Sequence, residues 1–81
     1  MTTEQLTEKV CHIVSAELYV EDAKVLRTSR FYQDLGADSL AMVELVMTIE
    51  ERFEIEISDM DADRLTTVGE LCDYIEKRVS K

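Results

Sequence analysis

The stretch Asp34-Leu35-Gly36-Ala37-Asp38-Ser39-Leu40 decides how this chain of 81 residues is read. Gly36 permits backbone angles that a side chain penalises, so the chain can turn sharply there. From Leu40 to Glu54 nothing breaks a helix, which puts Ser39 at or beside the first position of a long acidic helix. A helix N-terminus presents unpaired N–H groups and about half a positive charge, a good seat for a phosphate or other anion. A serine hydroxyl at that mouth can cap the helix, attack a substrate or carry a group.

Outward from this stretch, apolar periodicity organises the chain. In helix two, from about Ser39 to Phe53, Met42, Leu45, Val46, Ile49 and Phe53 form one stripe that the pattern assigns to the core. On the opposite side Leu40, Val43 and Met47 stand among Glu44, Glu50, Glu51 and Glu54. They either pack under a loop or form a small exposed recognition stripe. Helix one, Thr3 to about Leu18, carries Leu6, Val10, Ile13 and Val14 at helical spacing, with Thr2 or Thr3 to cap it. Between the two, Tyr19 to Ala37 has no sustained period. It holds Val20, Val25, Leu26, Phe31, Tyr32 and Leu35, which predicts an ordered loop packed back on the bundle.

Beyond helix two, Glu54-Ile55-Glu56-Ile57 reads as an extended connector that buries Ile57, and Asp59 to Leu65 suits a short helix. Thr67-Val68-Gly69-Glu70 is a capping-box pattern opening a last helix, in which Val68, Leu71, Cys72, Ile75 and Val79 make a core stripe. The expected fold is all-α: a four-helix bundle with three longer helices, one short helix and a long ordered loop between helices one and two. It forms a single domain over residues 1–81.

Composition agrees: no proline, two glycines and 46% apolar residues fit a helical bundle and argue against disorder. The charge is uneven. Between Phe31 and Asp63 lie ten acids (Asp34, Asp38, Glu44, Glu50, Glu51, Glu54, Glu56, Asp59, Asp61, Asp63) and one base, Arg52, so the whole net charge of −9 sits there. Such a field repels nucleic acid and anionic membranes and steers basic protein surfaces toward it. Two cysteines make no disulfide framework, and no signal-like or membrane-length apolar run is present. The expectation is a soluble, cytoplasmic protein with no membrane insertion.

Three chemical readings compete for the acidic segment. A serine nucleophile needs a base and a group to orient it, and the only histidine is His12, on helix one. Asp59, Asp61, Asp63 and Glu70 fit positions of a calcium loop, but the place that must be glycine is Arg64. Cys11-His12 and a distant Cys72 lack the spacing of a zinc site, and Cys72 reads as a small buried hydrophobe. Neither an enzyme nor a metal site follows from these residues.

Carriage of a group explains what is left over. The run from Asp34 to Leu40, followed by Val43-Glu44-Leu45-Val46-Met47, closely resembles the acyl carrier protein family over nearly the whole chain. The resemblance implies that Ser39 carries 4′-phosphopantetheine through a phosphodiester, and that the arm's thiol bears acyl chains for fatty-acid biosynthesis. It implies a monomer visited by a phosphopantetheinyl transferase and by acyl-processing enzymes with basic docking patches. Asp38, Leu40, Val43, Glu44, Met47, Glu50 and Glu51 would meet those partners. The acyl chain would be lined by Val10, Phe31, Leu45, Val46, Ile49, Ile57, Ala62, Leu65 and Tyr74. Tyr19, Ala41, Arg52 and Ser58 depart from the usual pattern and leave two alternatives: a specialised carrier for polyketide, lipid or other acyl cargo, and an unmodified interaction domain.

Overall fold

A computed structural model describes residues 2–79. Four helices follow in order: α1 (Thr3–Leu18), α2 (Ser39–Phe53), α3 (Asp59–Arg64) and α4 (Val68–Val79). The long loop after α1 adds one 3-10 turn, Asp22–Lys24, which the sequence pattern did not announce. The bundle is therefore all-α, with three longer helices and one short one. No helix among the described residues is long and apolar enough to cross a membrane.

Each helix begins where a side chain satisfies its first N–H groups. Thr2 and Gln5 form a reciprocal capping box on α1, Asp38 caps α2, and Ser58 caps α3. At α4 the Thr67 hydroxyl accepts from the Glu70 N–H at 3.2 Å, and Glu70 accepts from the N–H groups of Thr66 and Thr67 at 2.8 and 3.0 Å. The Thr66 hydroxyl donates to the same carboxylate oxygen, and these bonds hold the Glu70 carboxyl below its ordinary pKa. The C-terminal signals are subtler. Both α1 and α2 end on a left-handed residue, Tyr19 at φ 56° and Glu54 at φ 55°, where glycine is the usual choice. The next N–H closes each end: Val20 donates to the Ser15 carbonyl at 3.1 Å and Ile55 to the Glu50 carbonyl at 3.2 Å.

Burial follows the predicted stripes with a few exceptions. Leu6, Val10, Ile13 and Val14 of α1, Leu45 and Ile49 of α2, and Val68, Leu71, Cys72 and Ile75 of α4 form one core. Met42, Val46 and Phe53 are only partly buried. Val79, assigned by periodicity to the core, is exposed at the C-terminal residue of α4. Burial pushes the Cys72 thiol up to about 11, as expected of a cysteine that serves as packing.

The long loop is part of the core. Val25, Phe31, Leu35 and Ala37 are buried, while Leu26 and Tyr32 face outward. Backbone bonds stitch the loop to the start of α4: Phe31 N–H to the Thr66 carbonyl, Val68 N–H to Ser29, and Gly69 N–H to Arg27, at 3.1, 3.0 and 2.8 Å. Gly69 lets the strands of this seam approach, since a β-carbon there would lie 2.9 Å from the Arg27 carbonyl oxygen. Ser29 is the loop's one buried polar side chain; its hydroxyl donates to the Lys24 carbonyl at 3.0 Å and accepts from the Leu26 N–H at 2.9 Å. These ties fix the loop that delivers the chain to Ser39.

Candidate functional site

The approach to Ser39 is a tight, self-bonded turn. Asp34 accepts from the Arg30 N–H at 2.8 Å and from its guanidinium at 3.2 and 3.3 Å, and that pairing holds the Asp34 carboxyl below its ordinary pKa. The Asp34 and Leu35 N–H groups return to the Arg30 carbonyl, and the Ala37 N–H returns to Phe31. Gly36 sits at φ 69° with open space where a β-carbon would stand, so its backbone angle, not crowding, demands glycine. Asp38 then leaves the turn in an extended conformation and starts α2.

The cap falls to Asp38 rather than Ser39. One Asp38 carboxylate oxygen accepts from the Ala41 N–H at 2.8 Å, and its carbonyl accepts from Met42 at 3.0 Å. Ser39 is therefore the first helical residue, exposed to solvent, with its hydroxyl making no hydrogen bond among the described residues. Among the described residues the N–H groups of Ser39 and Leu40 also have no acceptor, the ordinary state of the first positions of a helix. An oxygen free to be esterified thus stands where the helix end favours a phosphate.

A groove of about 550 Å³ opens beside Ser39. Its walls include Tyr32, Met42, Val43, Val46, Ile57, Ala62, Leu65 and Thr66, with Asp59 and Asp63 at the rim. The structure therefore gathers Val46, Ile57, Ala62 and Leu65 of the expected acyl lining in one place next to the serine. Val10, Phe31, Leu45 and Ile49 lie in the closed core, all at 0% exposure, and are not part of the groove wall. Tyr74 sits apart, in a neighbouring cleft with Asp61 and Arg78. Its hydroxyl donates to Asp61 at 2.8 Å, and Arg78 stacks over its ring at 4.5 Å. Met42, which periodicity assigned to the core, and Tyr32 of the loop are further wall residues that the expected acyl lining left out.

The outer face of α2 is open. Leu40, Val43 and Met47 are 67%, 56% and 59% exposed, which removes the reading that they pack under the loop. Asp38, Glu44 and Glu51 are exposed with them. Glu50 differs. It is half-buried, and its carboxylate accepts from the Ile57 N–H at 2.8 Å, tying α2 to the connector before α3. That bond spans seven residues and no helical pattern reveals it.

Other reactive groups stand away from this place. His12 lies beside Arg52 and Phe53 at the far end of α2, about 20 Å along the helix from Ser39 at 1.5 Å per residue. Its ring nitrogen faces Asp22 at 3.8 Å. The would-be calcium ligands Asp59, Asp61 and Asp63 are in helix α3, and Glu70 is spent on its cap; the described residues hold no cluster of three metal-binding side chains.

Comparison with known proteins agrees with this geometry. Residues 8–75 match the family described as phosphopantetheine attachment site. An acyl carrier protein from Prochlorococcus marinus (strain MIT 9515) is 50% identical over 78 residues, which cover 96% of this chain and 98% of that relative. The chain thus belongs to the acyl carrier proteins, as a carrier rather than an enzyme, with covalently attached 4′-phosphopantetheine as its cofactor.

Proposed function

We propose that Ser39 is the attachment residue, and that the chain presents acyl groups to enzymes of fatty-acid biosynthesis as a cytoplasmic monomer, with residues 1–81 acting as one carrier domain. The observation that carries this reading is the exposed, unbonded Ser39 hydroxyl at the first position of α2, beside an apolar groove. The bound arm supplies the thiol that forms thioesters. The chain supplies the rest. The helix end and its free N–H groups favour the phosphate, and the groove offers Met42, Val46, Ile57, Ala62 and Leu65 to an acyl tail. Asp38, Glu44 and Glu51, with Leu40, Val43 and Met47 between them, form a face suited to basic partners; Glu50 supports it from behind.

Incubation with coenzyme A, magnesium and a broad-specificity phosphopantetheinyl transferase should add one phosphopantetheine to the intact mass. No gain with several transferases would leave the interaction-domain alternative. Thioesters recovered from the host should be fatty acyl chains; polyketide or other acyl masses would assign the specialised alternative. Glu44→Lys should slow loading several-fold, more at low salt than at high, because it turns a steering charge around without touching the core. Unchanged rates would remove Glu44 from the docking face.

A further inference from the structure

Helix α3 forms one wall of the groove, yet it buries none of its six residues. Ala62 and the C-cap Leu65 line the groove, and Asp59 and Asp63 stand at its rim. Ser58 caps the helix and the Leu65 N–H closes its end on the Ala62 carbonyl, bonds that shape α3 without fixing its place. A helix this short does not hold by itself and depends on contacts with the rest of the chain. Among the described residues, Asp61 makes every side-chain hydrogen bond and ion pair from α3 to another helix. It accepts from the Tyr74 hydroxyl at 2.8 Å and faces the Arg78 guanidinium at 3.5 Å. Tyr74 and Arg78 stand one turn apart on α4, and the guanidinium stacked over the ring keeps both against the same carboxylate. These three residues, with Glu50 and Ile57, line a cleft of about 340 Å³. Glu50 and Ile57 also line the groove, so α3 and Ile57 stand between the two spaces.

We propose that the Tyr74–Asp61–Arg78 cluster is a clasp that sets the length of acyl tail the carrier encloses with α3 in place. The groove runs from Ser39 to Glu50, about 16 Å along α2 at 1.5 Å per residue. A short tail fits within that run and leaves the clasp shut. A long tail reaches the end formed by Ile57 and continues only when α3 moves off, which joins groove to cleft and offers the Tyr74 ring to the end of the tail. That movement breaks the bond from Tyr74 to Asp61, so a long tail is enclosed only with the clasp broken. Asp61, Tyr74 and Arg78 are thus positioning residues that act on the tail through α3. The inference rests on the reading that Ser39 carries acyl chains, and adds what limits their length.

The test compares melting temperatures of the full chain and of Tyr74→Phe, each loaded by transferase with an octanoyl or a hexadecanoyl arm. Tyr74→Phe keeps the ring under Arg78 and removes only the hydroxyl that bonds Asp61. With octanoyl the clasp is shut, and the variant should melt about 4–8 °C below the parent, the contribution of one hydrogen bond in a domain this size. With hexadecanoyl the clasp is already open in the parent, so the two should melt within about 2 °C of each other. Asp61→Ala should show the same narrowing from octanoyl to hexadecanoyl. A bond that only holds the fold together would lower both melts alike. An equal gap between parent and Tyr74→Phe in both loaded forms, or no gap in either, would overturn the proposal. Intact mass of the same samples reports loading separately. Contrary melts on fully loaded chains overturn this proposal alone, while a chain that takes no acyl arm overturns the carrier reading with it.

Discussion

Ser39→Ala should fold like the parent chain and accept no phosphopantetheine at all. The hydroxyl makes no bond that the fold would miss, and alanine is well tolerated in a helix, so the stability change should stay within about 0.5 kcal/mol. The effect on loading is complete because no other described serine can stand in. The Ser15 hydroxyl donates to the Val20 carbonyl at 2.7 Å, Ser29 is buried between Lys24 and Leu26, and Ser58 caps α3. None of them opens α2 beside the groove. Intact mass after incubation with transferase, with circular dichroism on the same sample, checks both halves. A loaded Ser39→Ala variant would move the attachment elsewhere.

Phe31→Ala should come close to unfolding the domain. Phe31 is fully buried, its N–H donates to Thr66 at 3.1 Å, and its carbonyl accepts from Ala37 at 2.9 Å. The backbone of Phe31 therefore joins the loop to the approach to α4 and to the turn before Ser39, and its ring sits in the core. Removing a buried phenyl ring costs about 3–5 kcal/mol. A domain of 81 residues has about 4–12 kcal/mol in total, at roughly 0.05–0.15 kcal/mol per residue. Each kcal/mol lowers the melting temperature of a domain this size by about 4–8 °C, so a fall of at least about 12 °C is expected by thermal melt. A fall below about 5 °C would show that the loop is a cover and not part of the core. Transferase loading should fall with the folded fraction, since Ser39 depends on the turn that Phe31 holds.

The sequence made the helices legible because their apolar stripes recur at helical spacing and their starts carry capping residues. Thr67 and Glu70 announced α4 through a local pattern, and the structure realises it bond for bond. Leu40, Val43 and Met47 were legible as an outer stripe because acids surround them on the helix surface. The choice of Asp38 over Ser39 as cap was not legible: both residues suit the role, and the turn from Arg30 to Ala37 decides which one sits outside the helix. Contacts between distant segments were hidden for the same reason. Ser29 reads as an ordinary loop serine, Gly69 as part of a capping pattern, and Glu50 as one more surface acid. Each owes its role to a backbone group brought beside it by folding. The acyl lining divided along this line as well. Periodicity marks what is apolar, but only packing separates the closed core of Phe31, Leu45 and Ile49 from the open wall of Val46, Ala62 and Leu65.

The central claim is that one exposed oxygen, at the first position of α2, is the tether of this carrier. Proteolysis of the loaded wild-type chain, followed by fragmentation of the modified peptide, tests it most directly. The account predicts a single phosphopantetheine, carried on Ser39, with every other serine and threonine unmodified. A phosphopantetheine found on any other residue, with Ser39 bare, would contradict it.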